Sequence, residues 1–359
     1  MEQKDTGLLF EHRSFDNHEQ VVFCSDKATG LKAIIGIHDT TLGPALGGTR
    51  MWNYASEADA LTDVLRLSRG MTYKAAITGL DLGGGKAVII GDAKTQKTDE
   101  LMRKFASYVH SLSGRYITAE DMGMETRDMD IVKEVTPYVT GVSESLGGAG
   151  NPSPVTAYGV FMGLKAAVKY RFGSDDLTGK KVLVQGIGHV GEDLVRQLTE
   201  EGALVTICDI NKENLAIVSA KYGAIIHQDL DSIYSLDVDV YAPCAMGATI
   251  NDATIAILKA KVIAGAANNQ LADEVKHGQL LRDKNIAYAP DFLINAGGII
   301  NVYAEIAGFT REEIMQKTAN IYNTTLDIFA LADEKNIPTQ AAAIAIAKAR
   351  IAAKKKTKK

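Results

Sequence analysis

The stretch KKVLVQGIGHVGEDLVRQLTEEGALVTICD, residues 180–209, decides the fold. A short apolar run enters a glycine-bearing turn, an amphipathic segment of helical period follows, and a second apolar run ends in an acid. Two strands joined by a helix of this length lie parallel in one sheet through a right-handed crossover. The alternation continues downstream. KENLAIVSAKYG (212–223) reads as a helix, AIIH (224–227) and DVDVYAPCA (237–245) as strands, DATIAILKA (252–260) as a helix, and KVIAGAANN (261–269) and part of NIAYAPDFLINAGG (285–298) as strands. The expectation is a doubly wound α/β domain with a parallel sheet covered on both faces.

Within the opening stretch, Gly186, Gly188 and Gly191 form a G-x-G-x-x-G between strand and helix, and Asp209 closes the second strand. In that context each glycine has a purpose. The first turns the chain sharply, the second admits a pyrophosphate to the backbone, and the third lets helix and strand pack closely. The helix start offers unpaired N–H groups and positive potential. Asp209 can accept hydrogen bonds from ribose hydroxyls and would repel a 2′-phosphate, so the fingerprint predicts NAD over NADP.

Upstream, VVFCSDKATGLKAIIGIH (21–38) reads as a hairpin, and SEADALTDVLRLSRGMTYKAA (56–76) as a helix with Ser56 as N-cap, delivering Lys74 just past its end. GGGKAVII (83–90) reads as a buried strand, KTDELMRKFASYVHSL (97–112) as a helix, GRYITAED (114–121) as a strand, and RDMDIVKEV (127–135) as a short helix. LGGAGNPSP (146–154) is the best boundary signal, and a helix over SPVTAYGVFMGLKAAVKY (153–170) follows it. The chain therefore divides into residues 1–145 plus 331–359, an α/β substrate-binding domain, and residues 146–330, the dinucleotide-binding domain, with a cleft expected between them.

Composition narrows the function classes. A chain of 359 residues with 46% hydrophobic and 23% charged residues is that of a soluble enzyme, and no apolar run reaches the roughly 20 residues of a membrane span. The N-terminus lacks a signal-peptide h-region, so the cytoplasm is expected. The net charge of −5 gives no reason to expect nucleic acid, and the basic run KKKTKK at the end reads as a frayed helix terminus. Cys24, Cys208 and Cys244 are too scattered for a disulfide framework or thiolate site, and the seven histidines have no ligand spacing, so no metal is expected.

Lys86 in LDLGGGKAVII (80–90) raises a separate question. A phosphate loop requires a glycine six residues before the lysine and a hydroxyl after it, and this chain has Leu80 and Ala87. Lys86 is therefore read as a substrate or chemistry residue, with the glycines clearing room for a ligand near the main chain. Lys74 and Asp121 are expected to join it. Two lysines in a partly desolvated pocket cannot both stay charged, so one would hold a carboxylate while the other, its pKa depressed, serves as a general base. The bland alternative is that these lysines are solvated surface charges.

GPALGGTRMW (43–52), RGMTYKAA (69–76), LGGGKAVIIGD (82–92), GRYITAEDMG (114–123), GNPSPVTAYGV (150–160), VQGIGHVG (184–191), APCAMG (242–247), IAGAANNQL (263–271) and YAPDFLINAGGIIN (288–301) together resemble the glutamate/leucine/phenylalanine/valine dehydrogenases, most closely the leucine branch. The resemblance spans nearly the whole chain in order. It implies reversible oxidative deamination of an L-amino acid, with hydride passing from Cα to NAD and the imine hydrolysed to a 2-oxo acid and ammonia. By matching motif, Lys74 resembles the lysine that binds the substrate carboxylate, beside Gly47 and Gly48. Lys86 resembles the lysine that activates water, and Asp121 the carboxylate that exchanges protons with the amine.

The resemblance also implies that Thr156, Asn268 and Asn295 position nicotinamide and substrate. The expected cofactor set is completed by Gly186, Gly188, His189, Val190, Gly191, Asp209, Ile210, Cys244, Ala245 and Ala266. Leu46 stands where glutamate-specific relatives carry a lysine, and Leu46, Ala119, Ile299 and Val302 make an apolar lining suited to leucine, isoleucine and valine. An aromatic amino-acid dehydrogenase, for phenylalanine or tryptophan, is the alternative on the same scaffold, and an NAD-binding sensor without turnover is the rival from another class. The family implies a symmetric homo-oligomer, often an octamer. Two departures stand out: His189 replaces an asparagine common in leucine-type cofactor turns, and EDMGM (120–124) replaces a more usual EDVGT.

Overall fold

The computed structural model describes residues 9–357. The first eight residues and the last two lysines of the basic tail, which the sequence reading also covered, lie outside the described residues. The N-terminal elements are β1 (Gln20–Asp26), β2 (Leu31–Asp39), β3 (Ala45–Trp52), α1 (Glu57–Ile77), β4 (Gly83–Ile90), α2 (Asp99–Ser111), β5 (Tyr116–Glu120) and α3 (Thr126–Val135). There follow α4 (Ser153–Phe172), β6 (Lys181–Gln185), α5 (His189–Glu200), β7 (Leu204–Cys208), α6 (Lys212–Tyr222), β8 (Ile225–Ile226) and β9 (Val240–Pro243). The chain continues through α7 (Asp252–Ile257), β10 (Val262–Ile263), α8 (Glu274–Asp283), β11 (Ala287–Tyr288) and α9 (Asp291–Ile294). It closes with α10 (Gly297–Ala307), α11 (Arg311–Ala319), α12 (Ile321–Lys335) and α13 (Thr339–Thr357).

The chain forms two compact units. One comprises the described residues of Met1–Gly150, Val302–Gly308 and Ala347–Lys359, and the other Asn151–Asn301 and Phe309–Ile346. The first crossing falls inside the glycine-rich stretch read as a boundary. The return differs from the expected residue 331, because α11 and α12 pack on α4 and stay with the second unit. Only the C-terminal half of α10, from Val302, and the end of α13 belong to the first.

The first unit is a five-stranded mixed sheet in the order β1-β2-β4-β3-β5. The hairpin β1–β2 is antiparallel, as alternation in the sequence indicates, whereas β3 runs parallel to both β4 and β5. One face buries Ile35, Ile37, Met51, Ile89 and Tyr116 against Phe105, Met102 and Val109 of α2 and Met129 and Val132 of α3. Each fully buried side chain of this size stabilises by about 1.5–3 kcal/mol relative to exposure. The other face carries α1, whose Val64 and Leu65 pack on Ile34 and Val88. Ser56 caps α1, its side chain accepting a hydrogen bond from the Asp59 N–H at 3.1 Å. The helix runs through to Ile77, so Lys74 sits in its last turn and not beyond it.

The second unit holds a six-stranded sheet in the order β11-β10-β9-β6-β7-β8, with every pair parallel. In chain order within the unit this is 3-2-1-4-5-6 read from its far edge, the doubly wound arrangement. The order reverses at β6, so a crevice opens past the carboxyl ends of β6 and β9. Among the described residues, no helix is long and apolar enough to cross a membrane.

Candidate active site

In the first unit the strand registers put chemistry on one sheet face. Gly36 pairs with Lys86, Leu46 with Gly84 and Ile117, and Gly48 with Ala119. With a side-chain period of two, Leu46, Gly48, Arg50, Lys86, Ile117, Ala119 and Asp121 share the α1 face. The β3–β4 pairing breaks at Gly47 and Gly48, beside Gly85 and Lys86.

Lys86 is buried, and its Nζ donates a hydrogen bond to Asp121 Oδ2. Asp121 Oδ1 accepts from the Met122 N–H at 2.7 Å. Arg50 joins this pair, with one terminal nitrogen 3.6 Å from Asp121 Oδ2 and the other 2.9 Å from Asp63 Oδ2 on α1. Tyr54 donates to the same Asp63 oxygen at 2.6 Å.

These neighbours set the protonation states. Burial drives Lys86 below the ordinary lysine value despite the opposing attraction of Asp121, and Arg50 pushes in the same direction as burial. Burial alone would raise the Asp121 carboxyl, but the Lys86 and Arg50 charges and the hydrogen bonds outweigh it and hold it below the usual range. The site thus combines an ionised carboxylate with an amine whose proton is held less firmly than in water.

The glycines flanking Lys86 behave differently from the expectation that they clear space for a ligand. A Cβ at Gly83 would overlap the Asp39 carbonyl, one at Gly84 would overlap the Thr72 backbone nitrogen of α1, and one at Gly85 would stand 2.7 Å from the Tyr116 ring. They allow protein to approach protein, and the close contact at Thr72 brings the end of α1, with Lys74, against the strand that carries Lys86. Side chains at Gly47 and Gly48 would likewise strike the Gly85 and Glu120 carbonyls. Leu46 and Ala119 are buried on the shared face, and Ile117 lies between them in register. Ile299 and Val302 lie three residues apart on α10, Ile299 in the second unit and Val302 in the first.

In the second unit the glycine turn is clamped from both sides. The Ile187 N–H donates to Asp209 Oδ2 at 2.8 Å, and its carbonyl accepts from Asn214 Nδ2 at 2.6 Å. Gly186 has φ +92°, and a Cβ there would be 2.6 Å from that of Ala245; a Cβ at Gly191 would overlap the Gly186 carbonyl. A Cβ at Gly188, by contrast, would meet nothing within 4 Å. Gly188 is the N-cap of α5 and supplies no side-chain bond to its first turn, where His189 and Val190 stand. An open backbone beside uncapped N–H groups fits a bound diphosphate. Ile210, just past Asp209, is 87% exposed.

The remaining candidates converge nearby. Asn295 Nδ2 donates to Asn268 Oδ1 at 2.7 Å and to the Ala266 carbonyl at 3.1 Å. The Ala266 N–H in turn lies 3.4 Å from Cys244 Sγ. A Cβ added at Gly298 would stand 3.4 Å from Thr156 Oγ1. Sequence reasoning missed Arg50, Tyr54, Asp63 and Ile117. Arg50 stood in a motif already singled out, but its position on the Leu46 face follows only once residues 45–52 are known to be a strand.

Comparison with known proteins identifies the family. Residues 18–138 match the family described as Glu/Leu/Phe/Val dehydrogenase, dimerisation domain, and residues 147–212 and 208–358 match Glutamate/Leucine/Phenylalanine/Valine dehydrogenase. The chain belongs to this family. It is therefore an amino-acid dehydrogenase, an oxidoreductase that uses a nicotinamide cofactor. It is 53% identical over 351 residues to a leucine dehydrogenase of Thermoactinomyces intermedius, covering 98% of this chain and 95% of that one. It is 47% identical over 355 residues to a valine dehydrogenase of Streptomyces virginiae, covering 98% and 99%. A crystal structure of L-tryptophan dehydrogenase from Nostoc punctiforme superposes with a TM-score of 0.85 at 46% identity, covering 95% of this chain and 97% of that one.

Proposed function

We propose that this enzyme catalyses the NAD-dependent, reversible oxidative deamination of branched-chain aliphatic L-amino acids, with leucine, isoleucine and valine as substrates. The observation that carries the reading is the buried Lys86–Asp121 pair on a sheet face whose other side chains, Leu46, Ile117 and Ala119, are apolar. A dinucleotide would be held by Gly186, Gly188, His189, Val190 and Gly191, with Asp209 and Ile210 at its ribose end. Cys244, Ala245, Ala266, Thr156, Asn268 and Asn295 would hold the nicotinamide end. Bound there, the nicotinamide supplies the two-electron oxidant for the Cα–H bond.

The chain's own groups do the rest. Lys74 holds the α-carboxylate, with the broken β3–β4 pairing at Gly47 and Gly48 beside it. Asp121 takes a proton from the substrate ammonium. Lys86, deprotonated, accepts a proton from the water that adds to the iminium carbon. Asp121 then returns its proton to the nitrogen and takes up the proton of the carbinolamine hydroxyl as the carbon–nitrogen bond breaks, giving ammonia and a 2-oxo acid. NAD preference rests on Asp209, whose carboxylate already accepts two backbone hydrogen bonds and would repel a 2′-phosphate.

The test is a panel of leucine, valine, phenylalanine, tryptophan and glutamate, each with NAD and NADP, followed by NADH or NADPH absorbance. Leucine and valine should differ by only about 1–3 kcal/mol in kcat/KM, with glutamate far behind. A preference for tryptophan or phenylalanine would replace the aliphatic reading with the aromatic one, which the likeness to tryptophan dehydrogenase favours. No turnover with any of them would favour a sensor. Residues 18–138, which match a dimerisation domain, support a homo-oligomer, and the octamer implied by resemblance is checked by light scattering. All three cysteines are free thiols, which suits a cytoplasmic setting.

A further inference from the structure

We infer that Arg50, held in place by Asp63 and Tyr54, is a positioning residue for the reaction, fixing the Asp121 carboxylate relative to Lys86. The inference rests on the proposed roles of Asp121 and Lys86. Its grounds are geometric. Asp121 follows directly on the end of β5, with its Oδ1 held by the Met122 N–H, so that without Arg50 its Oδ2 would face Lys86 alone. Arg50, on β3 between β4 and β5, reaches the same oxygen from a different strand at 3.6 Å.

Arg50 is itself held in place. Its second terminal nitrogen is bonded to Asp63 at 2.9 Å, and Asp63 is bonded to Tyr54 at 2.6 Å. Its Nε is buried without a hydrogen-bond partner among the described residues, so the two terminal nitrogens set the plane of the guanidinium. The chain Tyr54–Asp63–Arg50–Asp121–Lys86 therefore ties the β3–α1 connection and α1 to the acid–base pair. A solvated arginine would not need two carboxylates and a tyrosine around it. The planar fork matters because it can engage two carboxylates at once, which an ammonium on a flexible stem does less rigidly.

The charged and titratable groups around Asp121 are Lys86 on β4, Arg50 on β3, Asp63 on α1, Tyr54 after β3 and, on β5, Tyr116. Removing the Arg50 cation withdraws a positive neighbour from both members of the pair. Asp121 would then protonate at higher pH, and Lys86 would lose its proton at higher pH. The acid side of the kcat/KM profile for amino-acid oxidation should move to higher pH.

The experiment compares Arg50→Gln, Arg50→Lys, Asp63→Asn and Tyr54→Phe with the parent enzyme. It records pH profiles of kcat and KM with leucine, NADH affinity by fluorescence, and thermal midpoints. Arg50→Gln should lose roughly ten- to a hundredfold in kcat, less than the roughly 10²–10⁴ that an acid–base group itself supplies. Its acid limb should shift upward, with NADH affinity unchanged, and Arg50→Lys should recover part of the loss. Asp63→Asn and Tyr54→Phe, which loosen Arg50, should lower kcat at smaller amplitude, and Asp63→Asn, by removing an anion that raises Lys86, should move the acid limb to lower pH instead; these two decide the matter if Arg50→Gln does not fold. A superimposable pH profile and kcat in these variants would overturn the inference. Lys86→Ala and Asp121→Asn run beside them: if those two keep turnover, the reading of the site fails first and the inference with it.

Discussion

Two glycine runs look alike in the sequence and do opposite things in the structure. At residues 83–85 every absent Cβ is replaced by protein: a carbonyl of Asp39, the Thr72 backbone of α1 and the Tyr116 ring. At residues 186–191 the first and third glycines are similarly filled, but Gly188 faces open space at an uncapped helix start. Glycine in the first run lets elements come together, and in the second it leaves one place empty. A glycine therefore points to a ligand only when nothing of the protein occupies the room it leaves.

The sharpest test of this contrast is Lys86→Ala, since Lys86 gains its burial from the packing of the first run. Turnover should fall by roughly 10²–10⁴ while NADH binding, which belongs to the second run, is unchanged. In the parent enzyme the depressed proton affinity of Lys86 sets the sign with pH. Oxidation of leucine should decline as pH falls and Lys86 takes up its proton, and the decline should begin below the ordinary lysine value of 10.5. A rate that survives in Lys86→Ala, read by stopped-flow absorbance, would leave the first run a packing feature with no chemistry attached.

Gly84→Ala tests the packing half. The new methyl would collide with backbone atoms of α1 at Thr72, which cannot rotate away. Overpacking of this kind costs about 1–3 kcal/mol or more. The thermal midpoint should drop by several degrees, and activity should fall with it because Lys74 and Lys86 are carried by the two elements forced apart. A midpoint equal to that of the parent would mean that the strand–helix contact is looser than the structure shows.

How much could be read beforehand follows the same division. The hairpin, β4 and the alternating second unit were legible because periodicity and strand-forming residues agree there. β3 was not read as a strand, since Pro44, Gly47 and Gly48 argue against one, yet it lies between β4 and β5. Its glycines are required by the neighbouring carbonyls, a tertiary reason that no local pattern displays. Lys86 and Asp121 were legible as candidates because a lysine after glycines and an acid at a strand end are unusual, and the structure brings the two together. Arg50 and Asp63 were not, because an ion pair between a strand and a helix 13 residues later depends on how those elements pack. The return of the C-terminus to the first unit was misplaced for a related reason: the end of α12 and the start of α13 read as helix anywhere, and only packing such as that of α12 on α4 keeps residues 331–346 in the second unit.

Gly188→Ala carries the smallest expected effect on the fold and the most specific one on function. Its φ of −64° is available to any residue, and no atom lies within 4 Å of the added methyl. Stability should stay within about 0.5 kcal/mol of the parent, as for an exposed substitution without a clash. A methyl between the backbone and a diphosphate would instead weaken dinucleotide binding, by roughly tenfold or about 1.4 kcal/mol. Measured by NADH fluorescence titration with a parallel melt, this variant should pair an unchanged midpoint with a weakened cofactor, the reverse of the stability loss at Gly84. If its affinity matches the parent's, the space at Gly188 is not where the diphosphate lies, and the two runs differ in packing alone.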